Sequence, residues 1–318
     1  MPKPAPDSTG LRLESVGDVV ERVVEELQQR GPTPEMPTGL TRLDEAIWGL
    51  HRGEVTVIAA RPGTGKTSMA LQFCRNLADA HKKIVFVSLE MTSEQLVERL
   101  LVQMTQSDAW NLRRGETVKE FIEKITPLQP MWPVFNLRFV DGFGYTVPQI
   151  NYLMQKLIER TGSPPDLLVV DFVQLIALEE GQQRFDAIAE YLRALKELAM
   201  RHHMAVVVCS QINREQEKTK DKRPRLDQLK GSGALEELSD AVVLLWWEEL
   251  GNEENPQGNR YWALIAKQRH GPPGQAIPIR FDPHRLTFHD VQDEIPEWHE
   301  DGVLRVSGQD AASGDSRE

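Results

Sequence analysis

Glu54-Val-Thr-Val-Ile-Ala-Ala-Arg-Pro-Gly-Thr-Gly-Lys-Thr-Ser68 decides the fold. It starts as an apolar β-run, breaks at Arg61-Pro62-Gly63, and resumes as a helix from about Lys66. Small residues in such a turn let the backbone N–H groups of Gly63, Thr64 and Gly65 converge on phosphate oxygens at the positive end of the helix, and Lys66 adds a mobile charge. The spacing is that of a P-loop, with Ala60 in place of the usual first glycine. Arg61, Pro62, Gly63, Thr64, Gly65, Lys66, Thr67 and Ser68 are therefore the candidate phosphate-binding residues, and Thr67 is placed to ligate Mg²⁺ through its hydroxyl.

Downstream, apolar strands alternate with helices, which predicts an α/β fold with a mainly parallel sheet flanked by helices. Strands are predicted at Lys83 to Glu90, Val134 to Asp141, Leu167 to Asp171, Ala205 to Ser210 and Val242 to Trp247. Helices are predicted after the Thr92/Gln95 capping box, at Val147 to Thr161 and at Gln183 to His203, the last with Ile188, Tyr191, Leu192, Leu195, Leu198 and Ala199 along one side. Closely spaced strands at Tyr261 to Arg269, Ala276 to Asp282 and Arg285 to Asp290 predict antiparallel hairpins at one sheet edge. Upstream, Val16, Val19, Val20, Val23, Val24 and Leu27 form a helical stripe within Ser15 to Gln29. Gly31-Pro-Thr-Pro-Glu-Met-Pro37 separates it from the main domain, so the stripe packs either on its own domain or on another subunit.

Three more residues end apolar strands at the same predicted sheet edge. Asp171 follows Leu167-Leu-Val-Val170, where a carboxylate can hold a Mg²⁺ shell or serve as a simple turn cap. Glu90 follows Val85-Phe-Val-Ser-Leu89, where it can act as general base toward an attacking water. Gln211 follows Ser210, where an uncharged amide can sense a terminal phosphate.

The 318 residues are 40% hydrophobic and 27% charged, enough for one large domain with extensions. No apolar run reaches the length needed to cross a bilayer, and Met1-Pro-Lys-Pro-Ala-Pro6 lacks the apolar stretch of a secretion signal, so no membrane association and a cytoplasmic location are expected. Cys74 and Cys209 read as core residues rather than a disulfide or zinc framework. A net charge of −11 and a pI near 5.3 argue against indiscriminate nucleic-acid binding, but much of the acidity lies in Val19 to Glu26, Glu248 to Glu254 and the tail, leaving room for a local basic site.

Several strings together resemble the C-terminal motor domain of DnaB-family replicative helicases, a RecA-like P-loop NTPase fold. They are Pro37-Thr-Gly-Leu-Thr-Arg-Leu-Asp44, Ala60-Arg-Pro-Gly-Thr-Gly-Lys-Thr67, Ser88-Leu-Glu-Met91, Val170-Asp-Phe-Val-Gln-Leu175, Ser210-Gln-Ile-Asn-Arg214 and Lys267-Gln-Arg-His-Gly-Pro272, in family order from about Ser15 to Asp290. Ser-Leu-Glu-Met and Lys-Gln-Arg-x-Gly-Pro are the more specific of them.

The resemblance implies ATP and Mg²⁺ as cofactors and a homohexameric ring in which Lys267 and Arg269 reach the γ-phosphate on the neighbouring subunit. It further implies a linker helix at Ser15 to Gln29 that docks on that neighbour, and single-stranded DNA threaded 5′ to 3′ through the channel. Lys230, Gly231 and Gly233, in Leu226-Asp-Gln-Leu-Lys-Gly-Ser-Gly233, match the family's DNA loop, with Lys-Gly where many members carry Arg-Glu. A helicase loader and a primase are further implied partners. The resulting division is residues 1–14 as an unstructured N-terminus, 15–36 as linker helix and connector, 37–290 as the ATPase and helicase domain, and 291–318 as an acidic unstructured tail. With about fourteen residues before the expected linker helix, the resemblance is expected to leave out the family's helical N-terminal domain. Two rivals stand beside the helicase: a recombinase-like or clock-type RecA relative that uses ATP without unwinding, and a non-enzymatic adaptor for a helicase or its loader.

Overall fold

The computed structural model describes residues 14–29, 31–175, 177, 183–212, 223–229, 232–248, 260–291, 296–298 and 304–306. Its strands are β1 (Val55–Ala60), β2 (Ile84–Ser88), β3 (Leu137–Asp141), β4 (Leu167–Asp171), β5 (Ala205–Gln211), β6 (Ala241–Trp247), β7 (Tyr261–Gln268), β8 (Ala276–Asp282), β9 (Thr287–Asp290), β10 (Pro296–Trp298) and β11 (Leu304–Val306). The helices are α1 (Val16–Gln29), α2 (Thr41–Ile47), α3 (Lys66–Asp79), α4 (Ser93–Thr105), α5 (Ala109–Arg113), α6 (Val118–Ile125), α7 (Val147–Thr161), α8 (Arg184–His202) and α9 (Ser232–Leu238).

The sheet order is β3-β2-β4-β5-β1-β6-β7-β8-β9. Strands β3 through β6 in that order are parallel, and β7, β8 and β9 continue antiparallel from β6, as the spacing of their sequences predicts. Both faces are covered, so the central strands are apolar on both sides. Along β1, Ile58 and Ala60 face a core shared with α2 and α3, while Val55, Val57 and Ala59 face a second core shared with α7, α8 and α9. All six stripe residues of α8 are buried in that second core. Both cysteines are free and buried, and burial pushes their thiols up, which keeps them protonated.

Two expectations shift. The strand expected from Val134 begins only at Leu137, because Thr126–Val134 forms a 3-10 run whose end takes the Phe135 N–H onto the Met131 and Trp132 carbonyls (3.0 and 3.3 Å). In the tail expected to be unstructured, β10 and β11 pair antiparallel; residues 1–13 and the rest of 291–318 after Val291 lie outside the described residues. Helix α1 forms as expected, and its stripe from Val16 to Leu27 remains 37–81% exposed within the chain. Among the described residues no helix is long and apolar enough to cross a membrane.

The antiparallel strands brace the loop between β1 and α3. Tyr261, Phe281 and Phe288 pack ring against ring behind it, with centroids of Phe281 and Phe288 4.5 Å apart. The Tyr261 hydroxyl donates to the Thr64 carbonyl. A Cβ on Gly65 would lie 2.9 Å from Phe281 and Phe288 ring carbons, so only glycine lets the loop approach this closely. Gln72 of α3 locks to β9 by donating to the Phe288 carbonyl (2.8 Å) and accepting from its N–H (2.7 Å). Phe288→Ala should cost about 3–5 kcal/mol through the cavity it leaves, read from the urea unfolding midpoint; an unchanged midpoint would contradict this bracing.

Candidate active site

Strand β1 ends at Ala60, and the chain turns through Gly63 (φ 79°) and Gly65 (φ 84°) before α3 starts at Lys66. Both angles lie in the left-handed region that favours glycine. Gly65 is the N-cap and supplies no side chain to the first amides of α3, so these N–H groups stay open to an anion. Thr64 steadies the turn by donating its hydroxyl to the Arg61 carbonyl at 2.7 Å. Pro62 and Gly63 are exposed and Arg61 is half-buried, whereas Ser68 is buried with its carbonyl accepting from Gln103 (2.8 Å). Ser68 thus contributes backbone rather than an open hydroxyl.

Strand β4 lies two strands from β1 and ends at Asp171, which is 1% exposed. Thr67 Oγ1 donates to Asp171 Oδ2 at 2.6 Å, and Lys66 Nζ lies 3.4 Å from Asp171 Oδ1 and 4.2 Å from the Phe172 ring centroid. The predicted phosphate lysine, hydroxyl and carboxylate therefore meet in one place. Thr67 and Asp171 present adjacent hard oxygen donors, and Mg²⁺ in nucleotide sites commonly takes one or two protein oxygens with phosphate and water completing the shell. These residues fit that ion.

Glu90 lies two residues beyond β2, next to β4: Ser88 pairs with Asp171, and the Leu89 N–H donates to the Asp171 carbonyl at 2.7 Å. Its side chain is exposed at the same edge as Asp171. Gln211 ends β5 in register with Ala60, so it too borders the phosphate loop.

Two residues here went unread in the sequence. Gln174 accepts from the Gln211 N–H (3.1 Å) and donates to Ser210 Oγ (2.7 Å), pinning the end of β5. Arg99 of α4 is half-buried, and burial holds its pKa below the usual arginine value against the opposing pull of the Asp171, Glu90 and Glu98 charges. Helical spacing puts Arg99 three residues after Leu96 and four before Gln103, but that this side of α4 faces the domain follows from the burial of those two residues in the fold.

Lys267 and Arg269 lie elsewhere. Strand β7 runs antiparallel, so Gln268 pairs with Ala241 at the start of β6, whereas Ala60 pairs with Leu245 near its end. Four residues of strand separate the two levels, roughly 13 Å, and these cations stand at the end of the sheet opposite their own phosphate loop. A bulge decides where they point. Val242 pairs with Lys267 but Val243 with Ile265, leaving Ala266 extra, so Lys267 shares a face with Val242 instead of Ile265. There its ammonium donates to the carbonyls of Glu236 and Ser239 (2.7 Å to the latter), at the negative end of α9. Arg269 Nη1 lies 2.8 Å from Asp240 Oδ1.

Of the DNA-loop candidates, Lys230 and Gly231 lie outside the described residues, and Gly233 is exposed in the first turn of α9. The preceding Leu229 is buried and bridges Ile212, so the segment starts beside Gln211.

Residues 35–290 match the family model of the DnaB-like helicase C-terminal domain. The chain is 31% identical over 269 residues to the replicative DNA helicase DnaC of Bacillus subtilis (strain 168), covering 82% of this chain and 59% of that protein. Among solved structures it is similar to one described as an ATPase domain, with a TM-score of 0.81, 26% identity and coverage of 88% of this chain and 100% of that one. It is also similar to a structure described as a DnaB-like replicative helicase and its interactions with primase, with a TM-score of 0.79, 26% identity and coverage of 87% and 69%. The chain spans about three fifths of the length of the curated relatives it matches. Thr67→Ala should weaken nucleotide triphosphate binding about tenfold in Mg²⁺ but much less in EDTA, as read by fluorescent-nucleotide titration; equal losses in both would remove Thr67 from the metal shell.

Proposed function

The chain belongs to the DnaB-like helicase C-terminal domain family, and from that premise we propose that it is the motor of a replicative DNA helicase, hydrolysing Mg-ATP where two subunits meet and drawing single-stranded DNA 5′ to 3′ through a homohexameric ring. The observation that carries this reading is the separation of Lys267 and Arg269 from their own phosphate loop by the length of the sheet. Cations at one end and a phosphate loop at the other suit head-to-tail contact, in which each copy completes the site of the next. The exposed stripe of α1 suits docking on that neighbour, as the family's linker helix does.

At each site the amides of Gly63, Thr64 and Gly65 and the ammonium of Lys66 hold the β- and γ-phosphates of ATP. Thr67 and Asp171 would hold Mg²⁺, which supplies charge neutralisation on those phosphates. Glu90 accepts the proton of the water that attacks the γ-phosphorus, as the bond to the β,γ-bridging oxygen breaks. Arg269 and Lys267 of the next copy stabilise charge spreading over the transferred phosphoryl oxygens. Lys267 must first leave the carbonyls at the end of α9. Gln211, held by Gln174, lies between the phosphate loop and the start of the DNA loop at Leu229, a short route for reporting loss of the γ-phosphate. DNA in the channel, a loader and a primase as partners, and action in the cytoplasm complete the reading.

Mixed rings test it. Lys66→Ala and Arg269→Ala should each abolish DNA-stimulated ATP hydrolysis, yet a random equal mixture rebuilds intact sites at about a quarter of the interfaces, and turnover should reappear; no recovery would sink the shared site. On forked duplex the wild type should separate strands, whereas a recombinase-like relative would hydrolyse ATP and leave them paired, and an adaptor would release no phosphate. Lys230→Ala should reduce the salt slope of single-strand binding by about 0.7 for each copy in the ring that touches the strand; an unchanged slope would remove Lys230 from the DNA contact.

A further inference from the structure

Asp240 sits between α9 and β6 and is 1% exposed. Its Oδ2 accepts from the Val55 N–H (2.8 Å) and from Lys196 Nζ of α8 (2.5 Å), and Lys196 also donates to the Gly53 carbonyl (3.0 Å). One carboxylate thereby joins the start of β1, α8 and the start of β6. Its second oxygen, Oδ1, is spared by these groups. It meets Arg269 Nη1 at 2.8 Å in an ion pair too poorly aligned to count as a hydrogen bond. Burying a charge this completely is costly, and Lys196 with the Val55 amide already compensates it. The core therefore does not need Arg269, whose side chain is 61% exposed.

We propose that Asp240 is a positioning residue for Arg269: it anchors one arm of the guanidinium at the rigid end of the sheet so that the remaining donors project toward the adjacent copy. This rests on the reading that Arg269 acts in trans. A long, flexible arginine would otherwise lose rotamer entropy whenever it engaged the neighbour's phosphate, and an anchor on a buried, doubly held carboxylate pre-orders it. The bulge at Ala266 and the Asp240 anchor act together, since the bulge turns this end of β7 to the α9 face and Asp240 waits there. The carboxylate also lies two residues beyond the last residue of α9, whose first turn carries Gly233, so the anchor and the DNA-loop helix share one short stretch of chain.

The test is a double-mutant cycle on DNA-stimulated ATP hydrolysis by the assembled protein. Asp240→Asn keeps an acceptor for the Val55 amide but removes the charge; because it leaves Lys196 unpaired, the Asp240→Asn/Lys196→Met pair serves as a second, charge-balanced version. Both should lower kcat about tenfold, with nucleotide affinity unchanged, and neither should lower kcat further when added to Arg269→Lys, in which the fork that Asp240 holds is already gone. Equal fold losses in the wild-type and Arg269→Lys backgrounds, or an unchanged kcat in both versions, would reduce Asp240 to a structural role. If Arg269→Lys and Arg269→Ala both keep full kcat, the trans reading itself fails and this proposal falls with it.

Discussion

The site depends on one buried carboxylate meeting the first turn of one helix. Asp171 ends β4 almost without solvent, and such a charge persists only with partners. It finds them in Thr67 and Lys66, the first two residues of α3. This constraint ties β4 to a loop that leaves β1, with β5 between them, so the parallel sheet must be assembled before the phosphate site exists. Leu89 bonds to the backbone of Asp171, and Gln211 pairs with the end of β1 where the loop begins.

The antiparallel strands serve the site from behind and from afar. Close behind, Tyr261, Phe281 and Phe288 hold the loop by ring packing and a hydroxyl on the Thr64 carbonyl. At the far end the same β7 that begins with Tyr261 carries Lys267 next to its last residue and, just past its end, Arg269. One strand therefore runs from the back of the loop between β1 and α3 to Lys267 and Arg269, broken in its ladder only by the bulge at Ala266.

Lys267 is held by carbonyls at the end of α9, while the loop at the start of that helix matches the family's DNA-binding segment. A cation that leaves those carbonyls for a phosphate removes favourable charge from the helix end. The end of α9 and Lys267 thus share one local electrostatic balance, although the chain as a whole carries a net charge of −11.

Residue order alone was enough for the central strands and the longer helices, and for marking the segments that meet at the site: the loop from Arg61 to Ser68, the helical stripes of α1 and α8, and the acids at the end of β4 and just past β2. These follow from short-range periodicity and turn chemistry, which each segment carries wherever it is placed. Strand onset was misread at 134 because apolar composition does not distinguish a strand from the 3-10 turn that claims Val134 and the Phe135 N–H. It took the folded chain to show which strands lie side by side, that Gln174 pins Gln211, that Arg99 is half-buried in α4, and that a bulge at Ala266 turns Lys267 onto α9. Strand order and register are set by burying both sheet faces at once. That is a property of the whole chain, and no window of it contains the answer.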